Sequence, residues 1–258
     1  MIKLGPAGNC DKDIISSVKR LKVLGLDAQE VEFTYGVNLS IARAKEAGEL
    51  AKSLGIELSV HAPYYINLLS EEKKKITASK NRILMSAERA HFLNAAHLVF
   101  HAAYYGKLSR QEAYSRVKEE IVDLMAEIKK RKWHVVLAPE TTGKASQFGD
   151  LDELLKLSKE AGCGLCVDFA HLKARTQGSM GYDEMVQRIK HEKHVHSHFS
   201  GIEYTAKGER RHLVTPENDI TALLTELVKA KVDITIINES PVTWRDSLKM
   251  KKILEALR

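Results

Sequence analysis

A chain of 258 residues, 44% of them hydrophobic and 29% charged, is too apolar to be a disordered polymer and has the length that one α/β barrel needs. No apolar run approaches the roughly 20 residues of a membrane span, and Met1-Ile2-Lys3-Leu4 enters a strand-like pattern rather than a signal peptide, so a cytoplasmic protein without membrane association is expected. The 40 Lys and Arg against 34 Asp and Glu leave a formal charge of +6, which suits a polyanionic partner, although a solvated Lys/Glu-rich surface is the default reading.

In chain order, residues 2–5 form the first expected strand. Over 11–24, Ile14, Val18 and Leu21 recur at helical spacing, with Gly25 as the C-cap. Residues 28–33 read as strand two, 39–54 as an Ala/Leu-rich helix stopped at Gly55, and 57–61 as strand three. The resulting period of about thirty residues is that of a β-α-β module. The aromatic loop Ala62-Pro63-Tyr64-Tyr65-Ile66-Asn67 precedes a long helix over 71–94, and strand four covers 97–101. Ser109-Arg110-Gln111-Glu112 is a capping box, opening a helix with Val117, Ile121, Leu124 and Ile128 on its core face. Strand five, 134–137, leads to Ala138-Pro139-Glu140, and a helix over 150–161 ends at Gly162. Strand six, 165–167, delivers Asp168 and His171, with its helix expected only after the polar loop 173–181. Strand seven is 194–198, followed by a long loop over 199–216 and a helix. Strand eight, 234–238, delivers Glu239 before a final helix to 258. Eight strand-helix pairs predict a single (β/α)8 TIM barrel domain over 1–258. The alternative, an open doubly wound sheet, needs a glycine-rich phosphate turn after strand one, and Gly5-Pro6-Ala7-Gly8 is not one.

Cys10, Cys163 and Cys166 are too few for a disulfide framework. Cys163-Gly164-Leu165-Cys166 matches C-x-x-C without a second pair, so it reads as packing at a strand start. The strand ends carry the chemistry. Apolar runs end in His61, His101, Glu140, Asp168, a histidine of strand seven, and Glu239. One strand-end histidine is structural by default, and His91, His97, His134, His191 and His194 show how freely this chain uses the residue. Six such ends on one rim point instead to a metal centre. Glu140, Asp168, one strand-seven histidine and Glu239 suffice for one ion. His61 and His101, sharing Glu140, are available to a second, and His171 with Glu209 and His212 to a third. His194, His196 and His198 alternate on one strand face, so spacing does not choose among them. Nitrogen and oxygen donors without thiolate suit catalytic zinc or manganese, and clustered divalent ions are an apparatus for phosphodiester hydrolysis. Neither G-x-S-x-G nor a Walker sequence is present.

Six motifs occur in order: His61-Ala62-Pro63-Tyr64-Tyr65-Ile66-Asn67-Leu68, Phe100-His101, Pro139-Glu140-Thr141-Thr142-Gly143, Asp168-Phe169-Ala170-His171, His196-Ser197-His198-Phe199-Ser200-Gly201 and Asn238-Glu239-Ser240-Pro241. In these the chain resembles, over essentially its whole length, the endonuclease IV family of abasic-site DNA endonucleases, particularly its shorter archaeal-type members. The resemblance implies a zinc-dependent DNA repair enzyme that hydrolyses the phosphodiester 5′ of an abasic site in double-stranded DNA and leaves a 3′-hydroxyl. It implies three Zn2+ ions, with Mn2+ as a substitute at one or more positions. His61, His101 and Glu140 hold the first; Glu140, Asp168, His196 and Glu239 the second; His171, Glu209 and His212 the third. Glu140 and Glu239 are the catalytic carboxylates. His196 fits the family's strand-end position best, and His198 is the second choice. Tyr64 matches the family's intercalating tyrosine, with packing beneath its loop as the open alternative. Arg210 and Arg211 are candidate DNA contacts, as are Lys173 and Arg175, with solvated surface the default for each.

The family pattern on the strand-seven loop is Asp-x-His, whereas Glu209-Arg210-Arg211-His212 holds one residue more. Two other functions stay open: a sugar isomerase or epimerase of the xylose-isomerase-like kind using one divalent ion, and a catalytically reduced DNA-binding homologue. No obligatory protein partner is expected.

Overall fold

The computed structural model describes residues 1–257. Strands β1 (Ile2–Pro6), β2 (Ala28–Glu32), β3 (Glu57–His61), β4 (His97–Phe100), β5 (Val136–Pro139) and β6 (Cys166–Asp168) alternate with helices α1 (Ile14–Leu24), α2 (Ile41–Leu54), α3 (Lys73–Phe92), α4 (Arg110–Lys130), α5 (Leu151–Ala161) and α6 (Phe169–Arg175), and a second helix, α7 (Tyr182–Ile189), precedes β7 (Val195–Phe199). A hairpin of β8 (Gly201–Thr205) and β9 (Gly208–Leu213) follows, then α8 (Glu217–Ala230), β10 (Ile234–Asn238) and α9 (Trp244–Ala256). Local chemistry sets several boundaries. Asp13 with Ser16, Ser109 with Glu112, and Asp150 with Glu153 form capping boxes, while Gly25, Gly55 and Gly162 end their helices in the left-handed conformation.

Parallel pairing runs β1-β10-β7-β6 in one set of strands and β2-β3-β4-β5 in the other. Two seams join the sets into a (β/α)8 barrel. At one, Ala7 bridges Glu30 and the Gly8 amide donates to the Glu30 carbonyl at 2.9 Å. At the other, Glu140 bridges Cys166 and the Thr141 amide donates to the Cys166 carbonyl at 3.0 Å. The first seam needs glycine: a Cβ on Gly5 would sit 1.9 Å from the backbone oxygen of Ala28. Outside the barrel wall the core is aliphatic and aromatic, with Val18, Leu21, Ile83, Val117, Ile121, Leu124, Leu157, Leu224 and Leu227 inaccessible to solvent beside Phe100, Phe148, Phe169 and Phe199. Inside, where branched aliphatics usually fill the layers, this barrel buries Glu30, Ser59, His196, His198 and Thr235.

Two stretches depart from the sequence expectation. Helix α6 begins directly at Phe169, because the Asp168 carboxylate accepts the His171 amide at 2.7 Å and so caps it. The expected loop 199–216 contains the antiparallel β8–β9 hairpin, whose second strand, Gly-Glu-Arg-Arg-His-Leu, has too few apolar residues to show alternation. No helix among the described residues is long and apolar enough to cross a membrane.

Candidate metal centre

The C-terminal strand ends deliver their side chains to one rim, as parallel closure requires. Glu140, at the end of β5 and 1% exposed, is the hub. Its Oε2 lies 3.1 Å from His61 Nε2 and 2.9 Å from His101 Nε2. Its Oε1 lies 3.1 Å from His171 Nδ1 and 3.3 Å from His198 Nδ1. One carboxylate therefore faces two separate groups of imidazoles. Ligand atoms of His61, His101 and Glu140 fall within 4.8 Å of one another, as do those of Glu140, Asp168, His198 and Glu239.

The strand-seven histidine in this second group is His198; His196 is the residue the family resemblance favours. Both point into the barrel, but His196 sits one layer deeper, with its Nε2 2.9 Å from Glu30 Oε2 and its ring stacked on His97 at 4.9 Å. Two residues along a strand is about 6.6 Å, and β7 is staggered so that His198 stands opposite Asp168 in the neighbouring strand.

The third expected group is looser. Glu209 Oε2 is 3.3 Å from His171 Nε2, and the His212 ring meets His171 edge-on at 5.4 Å. His212 Nδ1 is engaged by Ser200 Oγ at 2.9 Å, and the three residues do not form a group within 4.8 Å. The extra residue between Glu209 and His212 has a structural resolution. Glu209 pairs with Tyr204 and Arg211 with Glu203, so Arg210 is the inserted residue of a β-bulge. A bulge resets the strand alternation, which returns Glu209 and His212 to the same face. Glycine at 208 lets the hairpin seat on the loop after β5, since a Cβ there would meet the Gly143 oxygen at 2.3 Å.

Neighbouring carbonyls fix two tautomers. His61 Nδ1 donates to the Ala62 carbonyl at 2.8 Å, so Nε2 is the nitrogen that faces Glu140 and the one an ion would take in place of its proton. His171 Nδ1 donates to the Thr141 carbonyl at 3.0 Å, leaving Nε2 toward Glu209. Backbone partners of this kind are how metal-binding imidazoles are oriented.

The electrostatics are those of a crowded anionic site. Burial pushes Glu239 up to about 8, aided by Glu140, Asp168 and Glu32 and opposed by His198. Burial likewise takes Glu32 up to about 7, with His61 opposing and Glu30 and Glu140 assisting. Burial also acts against Glu140 ionising, yet His101 and His198 hold it well below the usual carboxylate range. His61 is lowered by burial but carried up to about 10 by Glu140 and Glu32. Asp168 Oδ2 and Glu209 Oε2 are buried without a hydrogen-bond partner. Orphaned carboxylate oxygens among neutral-capable imidazoles fit a divalent cation, which would supply the missing charge and take up those lone pairs.

Above these side chains lies a cavity of about 520 Å³, lined in part by Glu32, His61, Tyr64, His101, Glu209 and Arg211. Tyr64 is 61% exposed at its mouth, so it is not packed beneath its loop. Tyr35, Tyr65 and Tyr104 are exposed as well. Arg210 and Arg211 line the same cavity and both pair with Glu203, at 2.8 and 2.6 Å. Lys173 is engaged by Asp219 at 3.0 Å, and Arg175 donates to the Thr142, Lys144 and Gln147 carbonyls, so these two serve the fold. Glu30 and Glu32 give no signal in the sequence, because charged residues in a predicted strand read as solvent-facing. Cys163 packs in the outer core, whereas Cys166 faces the barrel interior within 4.8 Å of His196 and His198.

Comparison with known proteins agrees with this architecture. The model of the xylose isomerase-like TIM barrel family matches residues 18–258. An uncharacterised protein of Methanocaldococcus jannaschii is 36% identical over 262 residues, covering 95% of this chain and 93% of its own. A probable endonuclease 4 of Carboxydothermus hydrogenoformans is 30% identical over 132 residues, 50% of this chain and 44% of the relative, and one of Mycoplasmopsis synoviae is 25% identical over 198 residues, 72% and 69% respectively. Among solved structures, SacUVDE superposes with a TM-score of 0.73 at 15% identity, over 95% of this chain and 85% of that one. Endonuclease IV from Thermus thermophilus gives 0.70 at 20% identity, over 99% and 98%. D-psicose 3-epimerase from Clostridium cellulolyticum gives 0.68 at 14% identity, over 99% of both. At such identities these structures share the fold alone.

Proposed function

The chain belongs to the xylose isomerase-like TIM barrel family, and from that premise we propose that it is a zinc-dependent DNA repair endonuclease cutting the phosphodiester 5′ of an abasic site to leave a 3′-hydroxyl. One observation carries this reading over its rivals: the surplus of ligands around Glu140. A single-ion isomerase or epimerase needs only Glu140, Asp168, His198 and Glu239, the self-sufficient group within 4.8 Å. His61 and His101 on the other oxygen of Glu140, and His171 facing Glu209, have no part in that chemistry.

In the proposed enzyme His61, His101 and Glu140 hold one ion, Glu140, Asp168, His198 and Glu239 a second, and His171, Glu209 and His212 a third, with Mn2+ an acceptable substitute. Bound there, the ions supply Lewis acidity and a hydrolytic water at neutral pH. The chain itself supplies orientation. The Ala62 and Thr141 carbonyls hold the imidazoles in their ligand tautomers, Glu140 fixes the spacing between two groups, and the cavity walls exclude bulk water. Tyr64 stacks in the duplex gap, and Arg210 and Arg211, shared with Glu203 in the free protein, turn to the phosphates. The +6 charge favours the polyanion.

The test is incision of a duplex with one synthetic abasic site, with and without chelator, beside metal analysis of the pure protein. About three zinc ions per chain and chelator-sensitive cleavage are expected. One loosely held ion together with ketose epimerisation would establish the isomerase-type reading instead, and tight damage-site binding without cleavage the DNA-binding one.

A further inference from the structure

Beneath the rim, β2 points Glu30 into the barrel interior, where it has no solvent exposure. A lone carboxylate there would cost several kcal/mol, so its partners define what it does. Glu30 Oε1 lies 2.7 Å from His198 Nε2, an ion-pair contact in which neither atom is aligned for a hydrogen bond. Glu30 Oε2 accepts from Ser59 Oγ at 2.7 Å and lies 2.9 Å from His196 Nε2. The other ring nitrogen of His198, Nδ1, stands 3.3 Å from both Glu140 Oε1 and Glu239 Oε1. His198 is thus strung between one buried carboxylate below and the candidate metal group above. His196 is held in turn by stacking on His97.

We propose that Glu30 is the positioning residue of this centre. A small turn of the His198 ring at the 2.7 Å contact would align its Nε2–H on Glu30, so that Nδ1, now bonded to Glu140, presents its lone pair upward to the ion, and Ser59 and His196 lock Glu30 in the orientation this requires. The inference rests on the metal-centre reading above and adds a carboxylate–histidine–metal relay to it. His196 thereby gains a role of its own, since the histidine one layer down supports the carboxylate that orients the histidine on the rim. The interior of the barrel is polar because a column of side chains, His97, His196, Glu30 and His198, replaces the usual aliphatic layers.

Glu30→Gln tests this. Two donors, Ser59 and His196, hold an oxygen at the Oε2 position while no hydrogen bond holds Oε1, so the new amide NH2 turns toward His198. A donor facing Nε2 forces the ring to protonate on Nδ1, the atom the ion needs. Competition with a chromophoric zinc chelator is expected to show one zinc bound about 10- to 100-fold more weakly, the other ions being retained. The variant is isosteric, and its fold is checked by circular dichroism. Independently of any variant, 15N-imidazole NMR of the zinc-loaded wild type is expected to show His198 protonated at Nε2 and metal-shifted at Nδ1. Wild-type zinc affinity in Glu30→Gln, or ligation through Nε2 in the wild type, would overturn the proposal alone. A wild-type protein that takes up no zinc would overturn it together with the reading beneath it.

Discussion

Glu140→Gln is the substitution to which the proposed centre is most sensitive. The change is isosteric, but it removes the one charge that faces His61 and His101 through Oε2 and His171 and His198 through Oε1. At 1% exposure no water replaces it. Removing one partner of a buried ionic group costs about 3–5 kcal/mol. If that loss falls on the loaded, transition-state-binding form, incision slows by about 10²- to 10⁴-fold at 1.36 kcal/mol per decade. The glutamine also presents an NH2 to one of the two imidazole groups, so zinc content is expected to fall as well. The assay is single-turnover cleavage of a fluorescent duplex carrying a tetrahydrofuran abasic analogue, read beside zinc content and a melting curve. Cleavage within threefold of wild type, with a native melt, would refute the bridging role.

Tyr64→Ala is expected to weaken binding of the damaged duplex by about 1–3 kcal/mol, roughly 5- to 150-fold, with zinc content unchanged; equal affinity by fluorescence anisotropy returns Tyr64 to ordinary surface. Gly5→Ala places a methyl 1.9 Å from the Ala28 oxygen at the β1–β2 seam and is expected to cost about 3 kcal/mol or more. A melting temperature within two degrees of wild type counts against the closed seam. The metal-free protein should lose stability as pH rises from about 6.5 to 10. The folded form holds the His61 proton to about 10 and the Glu239 proton to about 8, so over this window it binds more protons than the unfolded chain. Bound cations need those groups deprotonated, so the stabilisation by added zinc should widen across the same window. Thermal melts with and without chelator at several pH values measure both, and a metal-free melting temperature that climbs from pH 6.5 to 9 contradicts the assignment.

The strand ends were readable because a β-α period of about thirty residues marks where each apolar run stops, and His61, His101, Glu140, Asp168 and Glu239 stand at those stops. Parallel closure then gathers them whatever the intervening helices are. Three features escaped that logic. Asp168 caps α6 with one oxygen while the other is buried without a hydrogen-bond partner, and a cap three residues from a histidine reads in sequence as one more ligand pair. The second strand of the hairpin after β7 is polar, so that strand and the bulge at Arg210 leave no hydrophobic pattern. Glu30 sits in a strand interior that looks solvent-facing until the barrel closes over it.

What the sequence determined by itself was therefore which His, Asp and Glu residues stand at the strand ends and their order along the chain, since residue type and strand period are local properties. Which histidine of β7 stands at the rim was decided only by tertiary structure. His196 and His198 share a face and a chemistry, and only the stagger of β7 against β6 sets His198 level with Asp168 and leaves His196 a layer below, against Glu30.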